Sequence, residues 1–305
     1  MIYSVKLLSI LYLVQMNKLL QHLILFVLLP VVAYSQEKDS TVPKTFLWEI
    51  SGNGLTTPSY LYGTTHLICE SDIEMPDILK QKITRAKEVY LETAPANRAD
   101  SSSKLYFLHK DTTLKDLIGR KYFRRVRNIL EEKKPIKEET LQRLKPFHVG
   151  RLLDIASLKC RAISYESAII KIAKAENIHI NGLENAKEHS DVVDNIPLPV
   201  QANNLILQLD NLEPRIKNME TYMELYKQKE LSQLYYKAVG YPNTNSKFKT
   251  NFLDNRNIAW VPNIIGIIQT GPAFFAFGCA HLLGDKGVIN LLKEKGYTVS
   301  PVFYE

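Results

Sequence analysis

Two short segments of this 305-residue chain carry one pattern, Gly-x-x-His-Leu behind an aromatic apolar run. The first is Tyr60-Leu61-Tyr62-Gly63-Thr64-Thr65-His66-Leu67, and the second is Phe274-Phe275-Ala276-Phe277-Gly278-Cys279-Ala280-His281-Leu282. An imidazole can ligate a divalent metal or move a proton near neutral pH, and two in one cleft could do either. A single Gly-x-x-His arises easily by chance, and a lone histidine is more often a structural hydrogen bonder. Repetition with matched flanks separates His66 and His281 from the other histidines. His22 lies in a leader, His148 on a helical stretch, and His109, His179 and His189 in no matched context.

Two imidazoles need at least one carboxylate to make a metal site or a hydrolytic acid–base pair. Glu92 ends the apolar run Val89-Tyr90-Leu91, read here as the partner of the strand that delivers His66. A carboxylate at the end of such a strand is costly to bury unless a cation or metal meets it. The expected metal ligands are therefore His66, Glu92 and His281. Glu184 occupies the same place after Ile178-His179-Ile180 and an Asn181-Gly182 turn, as a further ligand, an orienting group or the catalytic base. Glu166 opens a helix after Ser164-Tyr165, where a carboxylate serves simply as complement to the helix dipole. Arg256, on the last long helix, could clamp a carboxylate or stabilise an oxyanion. As a residue lining a cleft, it should tolerate replacement by lysine with little effect on folding. No His-Glu-x-x-His is present, so the chain is not a zincin. Mixed nitrogen and oxygen ligands suit Zn, Mn or Co.

The elements that must position these groups follow from the apolar pattern. An apolar run closed by glycine reads as a buried strand ending in a sharp turn, and ligands collect beyond the carboxyl ends of such strands. The first copy continues through a helical stretch, Met75 to Lys87, into Val89-Tyr90-Leu91; the second continues through Asp285 to Glu294 into Tyr297-Thr298-Val299. A strand over Thr45–Ile50 should return antiparallel through Ser51-Gly52-Asn53-Gly54 into Tyr60-Leu61-Tyr62. Helices are expected over Leu105–His109, Leu114–Leu130, Lys137–Leu144, Pro146–Lys159 and Glu166–Glu176, and from about Phe248 to Thr270. Between Pro199 and Val239, Leu205, Leu209, Leu212, Met219, Met223, Leu225 and Tyr226 make an apolar stripe. The expected fold is α/β: a mixed central sheet from two related strand-GxxH-helix-strand halves, with a large helical insertion between them over about residues 97–270.

Residues 1–35 read as a signal peptide, with Lys6 and Lys18, no acidic residue, an apolar core from Leu23 to Val32 and a small-x-small ending at Ala33-Tyr34-Ser35. Met16 could open a signal of ordinary length by itself. Residues 36–44 form a polar lead-in, and 45–305 the folded domain. The rival reading, an uncleaved membrane anchor, has an apolar run short of the ~20 residues a span needs and broken by Pro30. The protein is thus expected to be exported, to the periplasm or beyond the cell, with membrane contact only through this segment. Removing its two lysines takes the net charge from +7 to +5 (37 basic against 32 acidic residues). That mild excess includes one dense run, Arg120 to Lys134, interleaved with apolar residues at helical spacing as on a solvated helix face. No nucleic-acid partner is expected. Three cysteines, Cys69, Cys160 and Cys279, are an odd number and too few for a disulfide framework. They are read as small buried thiols, although Cys69 and Cys279 could pair if the half-sites face each other. A nucleophilic pair of Cys279 with His281 lacks a third, orienting group.

These residues resemble a known family. Leu47-Trp48-Glu49-Ile50-Ser51-Gly52-Asn53-Gly54 and Pro58 to His66 look like the opening of the TraB/GumN family, relatives of the Tiki proteins. The likeness continues in family order through Leu91-Glu92, Lys145-Pro146-Phe147, Gly182-Leu183-Glu184, Arg256-Asn257 with Trp260, and Gly278 to Leu282, ending at Gly296-Tyr297-Thr298-Val299. It departs at Cys279, where the family commonly has Ala, and at Phe147, where Trp is common. The resemblance implies the fold of erythromycin-esterase-like and ChaN-like proteins, with two related halves around one cleft. It also implies a site of His66, Glu92, Arg256 and His281, and, as in the Tiki branch, proteolysis dependent on a divalent metal. The expected function is an exported metal-dependent hydrolase acting on a peptide or protein substrate. Two other readings stand beside it. One is an esterase-like hydrolase without metal, with His66 as general base oriented by Glu92. The other is a non-catalytic protein that binds a peptide or haem.

Overall fold

The computed structural model describes residues 42–95, 101–133, 135–240 and 249–304. The expected signal peptide and most of the polar lead-in lie outside the described residues. Among those residues, no helix is long and apolar enough to cross a membrane.

Residues Pro43–Glu305 form one compact unit. It opens with β1 (Leu47–Ser51), β2 (Ser59–Thr64) and the two-residue β3 (Ile68–Cys69), then α1 (Asp77–Thr84) and β4 (Glu88–Thr93). Helices follow: α2 (Leu114–Lys133), α3 (Glu138–Arg143) and α4 (Pro146–Ser157). After β5 (Ala162–Ile163) come α5 (Tyr165–Ala175), β6 (His179–Glu184), α6 (Ala186–Asp194), α7 (Leu198–Asp210), α8 (Leu212–Lys227) and α9 (Leu231–Val239). A π-helical turn, Thr250–Asp254, leads into α10 (Asn255–Ile268); β7 (Ala273–Gly278), α11 (Val288–Glu294) and β8 (Thr298–Val302) close the chain.

The main sheet has the order β6-β4-β7-β2-β1-β8. β2 is antiparallel to β1 and β1 to β8, whereas β2–β7, β7–β4 and β4–β6 are parallel. The sheet is therefore mixed, with β1 its one reversed strand, and the two repeats interleave. The β2–α1–β4 unit steps over β7, and the β7–α11–β8 unit steps over β2 and β1. This corrects the expected pairing of the Glu92 strand with the His66 strand: β7 lies between them. β2 and β7 form the centre because both are buried along almost their whole length, Tyr60 to Thr64 and Ala273 to Phe277, as strands covered on both faces must be.

The helical insertion between the halves carries the strand expected at Ile178–Ile180: β6 returns to the sheet edge and pairs with β4. The Asn181-Gly182 step, expected to turn, stays in the strand opposite Tyr90 and Leu91. A Cβ on Gly182 would lie 2.6 Å from the Ala94 nitrogen and 3.0 Å from the Thr93 Cα, so the glycine permits that close strand packing. Helices α2, α4 and α7 share a separate apolar core, which includes Phe123, Val126, Leu153, Leu205 and Leu209. The basic residues of α2 lie on its outer side, where Arg125 pairs with Asp210 and Arg127 with Glu138. The short helix expected at Leu105–His109 is instead a 3-10 segment, Ser101–Tyr106, after which Phe107 bridges to Leu144.

The cysteines pair differently from the expectation. Cys69 and Cys160 form a disulfide, and Cys279 is free and buried. Antiparallel β3 and β5 bring the first two together, with Cys69 opposite Ala162 and Ile68 opposite Ile163.

Candidate functional site

β2, β7, β4 and β6 run in one direction, so their carboxyl ends share one edge, and that edge carries the titratable groups. β2 and β7 end level, Thr64 opposite Gly278. His66 follows in the turn into β3, and His281 ends a 3-10 turn, Cys279–His281. Glu92 is the fifth residue of β4 and Glu184 the last of β6.

Glu92 is the centre of the arrangement. Its Oε1 accepts the Gly278 amide at 2.9 Å and lies 3.6 Å from His66 Nε2 and 3.8 Å from His281 Nε2. Its Oε2 accepts from Arg256 Nη2 at 2.6 Å. Burial by itself would raise the Glu92 pKa. The Arg256 charge, the two imidazoles and the Gly278 amide outweigh it and hold the carboxyl well below the ordinary range.

Both histidines face Glu92 with Nε2 because something else holds Nδ1. Asn257 donates its amide to the carbonyls of Lys286 (2.8 Å) and His281 (3.4 Å), which leaves its oxygen to accept from His281 Nδ1 at 2.6 Å. The His281 proton therefore sits on Nδ1 and Nε2 carries a lone pair, towards which Arg256 Nη1 points at 3.3 Å. Burial pushes the His281 pKa down to about 3, with help from the Arg256 charge, so the ring is neutral at physiological pH. His66 Nδ1 lies 2.9 Å from Glu166 Oε1, which also accepts from the Thr64 hydroxyl at 2.6 Å. The His66 side chain is 42% exposed. Desolvation lowers its pKa, but the Glu166 and Glu92 carboxylates more than offset this and the net shift is upward.

Glu166 is thus a site residue that the sequence reading assigned to a helix dipole. It does stand in the first turn of α5, yet it is buried against His66 and its Oε2 has no hydrogen-bond partner. Burial raises its pKa and the His66 and Thr64 contacts lower it, with a net fall.

Arg256 comes from α10, whose buried Asn257, Trp260, Val261, Ile264 and Ile268 recur at helical spacing and seat the helix on the sheet. All five of its N–H groups have partners. Nε and Nη2 grip Glu184 at 3.0 and 2.7 Å, Nη2 also reaches Glu92, and Nη1 meets the Phe252 carbonyl at 3.1 Å and His281. Its guanidinium lies over the Trp260 ring, 4.6 Å from the centroid. Phe252 belongs to the π-helical turn, a distortion that often marks functional sites. Glu184 also accepts from Trp260 Nε1 at 3.1 Å and lies 2.8 Å from His189 Nδ1. Burial raises the Glu184 pKa, while His189 and Arg256 lower it further, so it falls overall.

His189 is the second site residue missed from sequence. It sits on α6, one turn past Glu184, and the Asn185 capping box that starts this helix aims it back at the strand end. Ligating atoms of Glu92, Glu184 and His189 lie within 4.8 Å of one another, as in a metal cluster. The cation among them is already Arg256, whose Nη2 is 2.6, 2.7 and 3.4 Å from the three. His66 Nε2 and His281 Nε2 flank Glu92 Oε1, although His281 Nε2 also faces Arg256 Nη1 and this trio is not a set of ligating atoms all within 4.8 Å of one another. The two separations from Glu92 Oε1, 3.6 and 3.8 Å, are near the ~3.4 Å edge of a tetrahedral site, whereas the set of ligating atoms mutually within 4.8 Å is Glu92, Glu184 and His189. Each histidine is also backed on Nδ1 by an acceptor, as metal-ligating histidines are. Two imidazoles and a carboxylate are donor types that a divalent ion takes. Cys279, by contrast, is buried with its thiol pKa pushed up to about 12, which leaves no thiolate for nucleophilic attack.

The model of the TraB/PrgY/gumN family matches residues 46–301, a span that takes in both Gly-x-x-His repeats, β4, β6 and α10. No curated protein and no solved structure matches significantly. With its fold, both repeats and every residue of this site inside the matched span, the chain belongs to the TraB/PrgY/gumN family.

Proposed function

We propose that the chain is an exported hydrolase of peptide bonds that depends on a divalent metal, Mn, Co or Zn. The observation that carries this reading is the approach of two tautomer-fixed imidazoles to one oxygen of Glu92. A divalent ion held by His66, Glu92 and His281 would lower the pKa of a water and polarise a scissile carbonyl. The chain's own groups prepare that site. Asn257 and Glu166 orient the two rings, and Arg256 neutralises the buried carboxylates of Glu92 and Glu184. With every N–H engaged, Arg256 acts as a positioning group rather than the oxyanion donor expected from sequence. Glu184, saturated by Arg256, Trp260 and His189, is a poor proton acceptor and anchors its neighbours instead of serving as base. His189, half exposed, is tied to Glu184.

The Cys69–Cys160 disulfide supports export, since such bonds persist in oxidising compartments. It joins the leader pattern in favouring the periplasm or the extracellular space.

A second reading has one observation in its favour. Glu166 and half-exposed His66 form a carboxylate–imidazole dyad at 2.9 Å, the arrangement of a general base acting on water without metal. In that case Glu166, not Glu92, orients the base.

Mass-spectrometric cleavage of a peptide library by purified protein, with and without chelator, tests both. The metal reading expects turnover that chelator abolishes, that Mn, Co or Zn restores, and that His66→Ala lacks. Cleavage indifferent to chelator but lost in His66→Ala moves the assignment to the dyad. No cleavage by metal-loaded protein sinks the hydrolase reading.

A further inference from the structure

The disulfide does more than join two distant segments. His66 stands three residues before Cys69, and Glu166 six residues after Cys160, so the bond ties together the two stretches whose ends carry the dyad. β3 and β5 are two residues each, and so short a ribbon is marginal by itself. The two stretches are otherwise joined by two backbone bonds, Glu70 to the Arg161 carbonyl and Tyr165 to the Thr65 carbonyl (2.9 Å each), an Arg161–Glu70 ion pair exposed to solvent, the Tyr165 hydroxyl on the Glu74 carbonyl, the Thr64 hydroxyl on Glu166 Oε1 (2.6 Å) and the Tyr165 ring against Tyr62 (5.4 Å between centroids). Exposed ion pairs contribute little. The second half-site is built differently. Cys279–His281 is buried between β7 and α10, and Asn257 pins His281 from within the core.

We infer that the Cys69–Cys160 disulfide is the positioning device of the first half-site. It holds His66 against Glu166, so turnover depends on the bond being oxidised, while the His281 half keeps its geometry either way. The inference rests on the reading that His66 works in the reaction. Reduction adds two electrons and two protons to the bridge and yields two thiols; with dithiothreitol as reductant, that reagent closes to its cyclic disulfide. Both cysteines are partly exposed, so a small reductant can reach them.

The test compares full-length oxidised protein, the same protein in dithiothreitol, and the Cys69→Ser/Cys160→Ser double variant, below the melting temperature of all three and free of metal. Amide exchange is read over residues 64–70 and 160–167, with 277–282 as internal reference. The expected result is exchange about tenfold faster or more in the first two segments and unchanged in the third. Reoxidation should restore the wild type and not the variant. With metal restored and no dithiothreitol present, kcat of the double variant on a cleaved peptide should fall by up to ~10²-fold with KM nearly constant, as for a displaced catalytic group. Unchanged exchange in residues 64–70 and 160–167 would overturn the inference. So would equal acceleration in all three segments, which would make the bond a staple of global stability. If the oxidised protein cleaves nothing, the hydrolase reading fails, and exchange still decides whether the bond positions His66.

Discussion

The two glycines of the repeated motif make room for different things. A Cβ on Gly278 would stand 3.3 Å from Glu92 Oε1 and 3.6 Å from both His66 Nε2 and His281 Cδ2, in the space between the three donors. Its backbone, at φ −48°, accepts any L-residue. A Cβ on Gly63 would instead meet Leu282 Cδ1 at 2.7 Å and Cys279 Cβ at 2.9 Å, inside the packed core. Gly278→Ala should therefore keep the fold and lose the site, with turnover reduced by ~10²-fold and the melting temperature little changed. Gly63→Ala should do the opposite first, costing about 1–3 kcal/mol by overpacking. Thermal melts beside kinetics on the two variants separate the cases. Equal destabilisation by both would deny Gly278 its special place.

At the scale of elements, Arg256 is the tie that holds the site edge together. One side chain on α10 bonds the ends of β4 and β6 through Glu92 and Glu184, and the carbonyl of Phe252 in the π-helical turn before it. Only 9% of the side chain is exposed, so Arg256 is more deeply held than a residue that merely lines a cleft. Lysine in its place keeps the charge but cannot reach both carboxylates at once, because it lacks the planar fork of donors. At least one buried carboxylate would be left short of a partner, a cost of about 1–3 kcal/mol or more. Arg256→Lys is thus expected to lower the melting temperature as well as turnover. A wild-type melt with normal kinetics would remove Arg256 from both roles.

For the whole molecule, the buried charges set a pH dependence. His281 has its pKa pushed down to about 3 from an ordinary 6.5, so between those values the unfolded chain binds a proton that the folded chain refuses. Stability then falls as pH falls through this window, by up to about 1.4 kcal/mol per pH unit from this group. Glu92, Glu166 and Glu184, all with lowered pKa, add stability that is present above the ordinary carboxylate value and is lost as acid titrates their folded forms. His66 acts in the other sense. Its pKa is raised, so its contribution is full below 6.5 and fades as pH rises through the folded value. Urea unfolding of metal-free protein from pH 7.5 to 4 should show stability falling with acid. His281→Gln should flatten the curve by up to one proton below pH 6.5, and an unchanged slope would show that the ring is not held neutral.

What the sequence determined by itself is what depends on neighbours along the chain. The repeat, the strand ends that carry His66, His281 and Glu92, and the stripe that seats α10 are local patterns of apolar period and glycine. They were enough to expect a mixed α/β sheet with two related halves and to recognise the family. What only the tertiary structure decided is which edges and faces meet. Nothing within a strand says that β7 lies between β2 and β4, since that depends on which edges the crossovers bring together. A carboxylate in the first turn of a helix looks the same whether it faces solvent or, like Glu166, a histidine about a hundred residues away. His189 had no matched context until α6 turned it onto Glu184. The partner of Cys69 was likewise undetermined, because three cysteines allow several pairings and only the meeting of β3 with β5 selects Cys160. Local periodicity specifies elements, whereas the partners of buried charges and thiols are set by contacts between residues far apart in the chain.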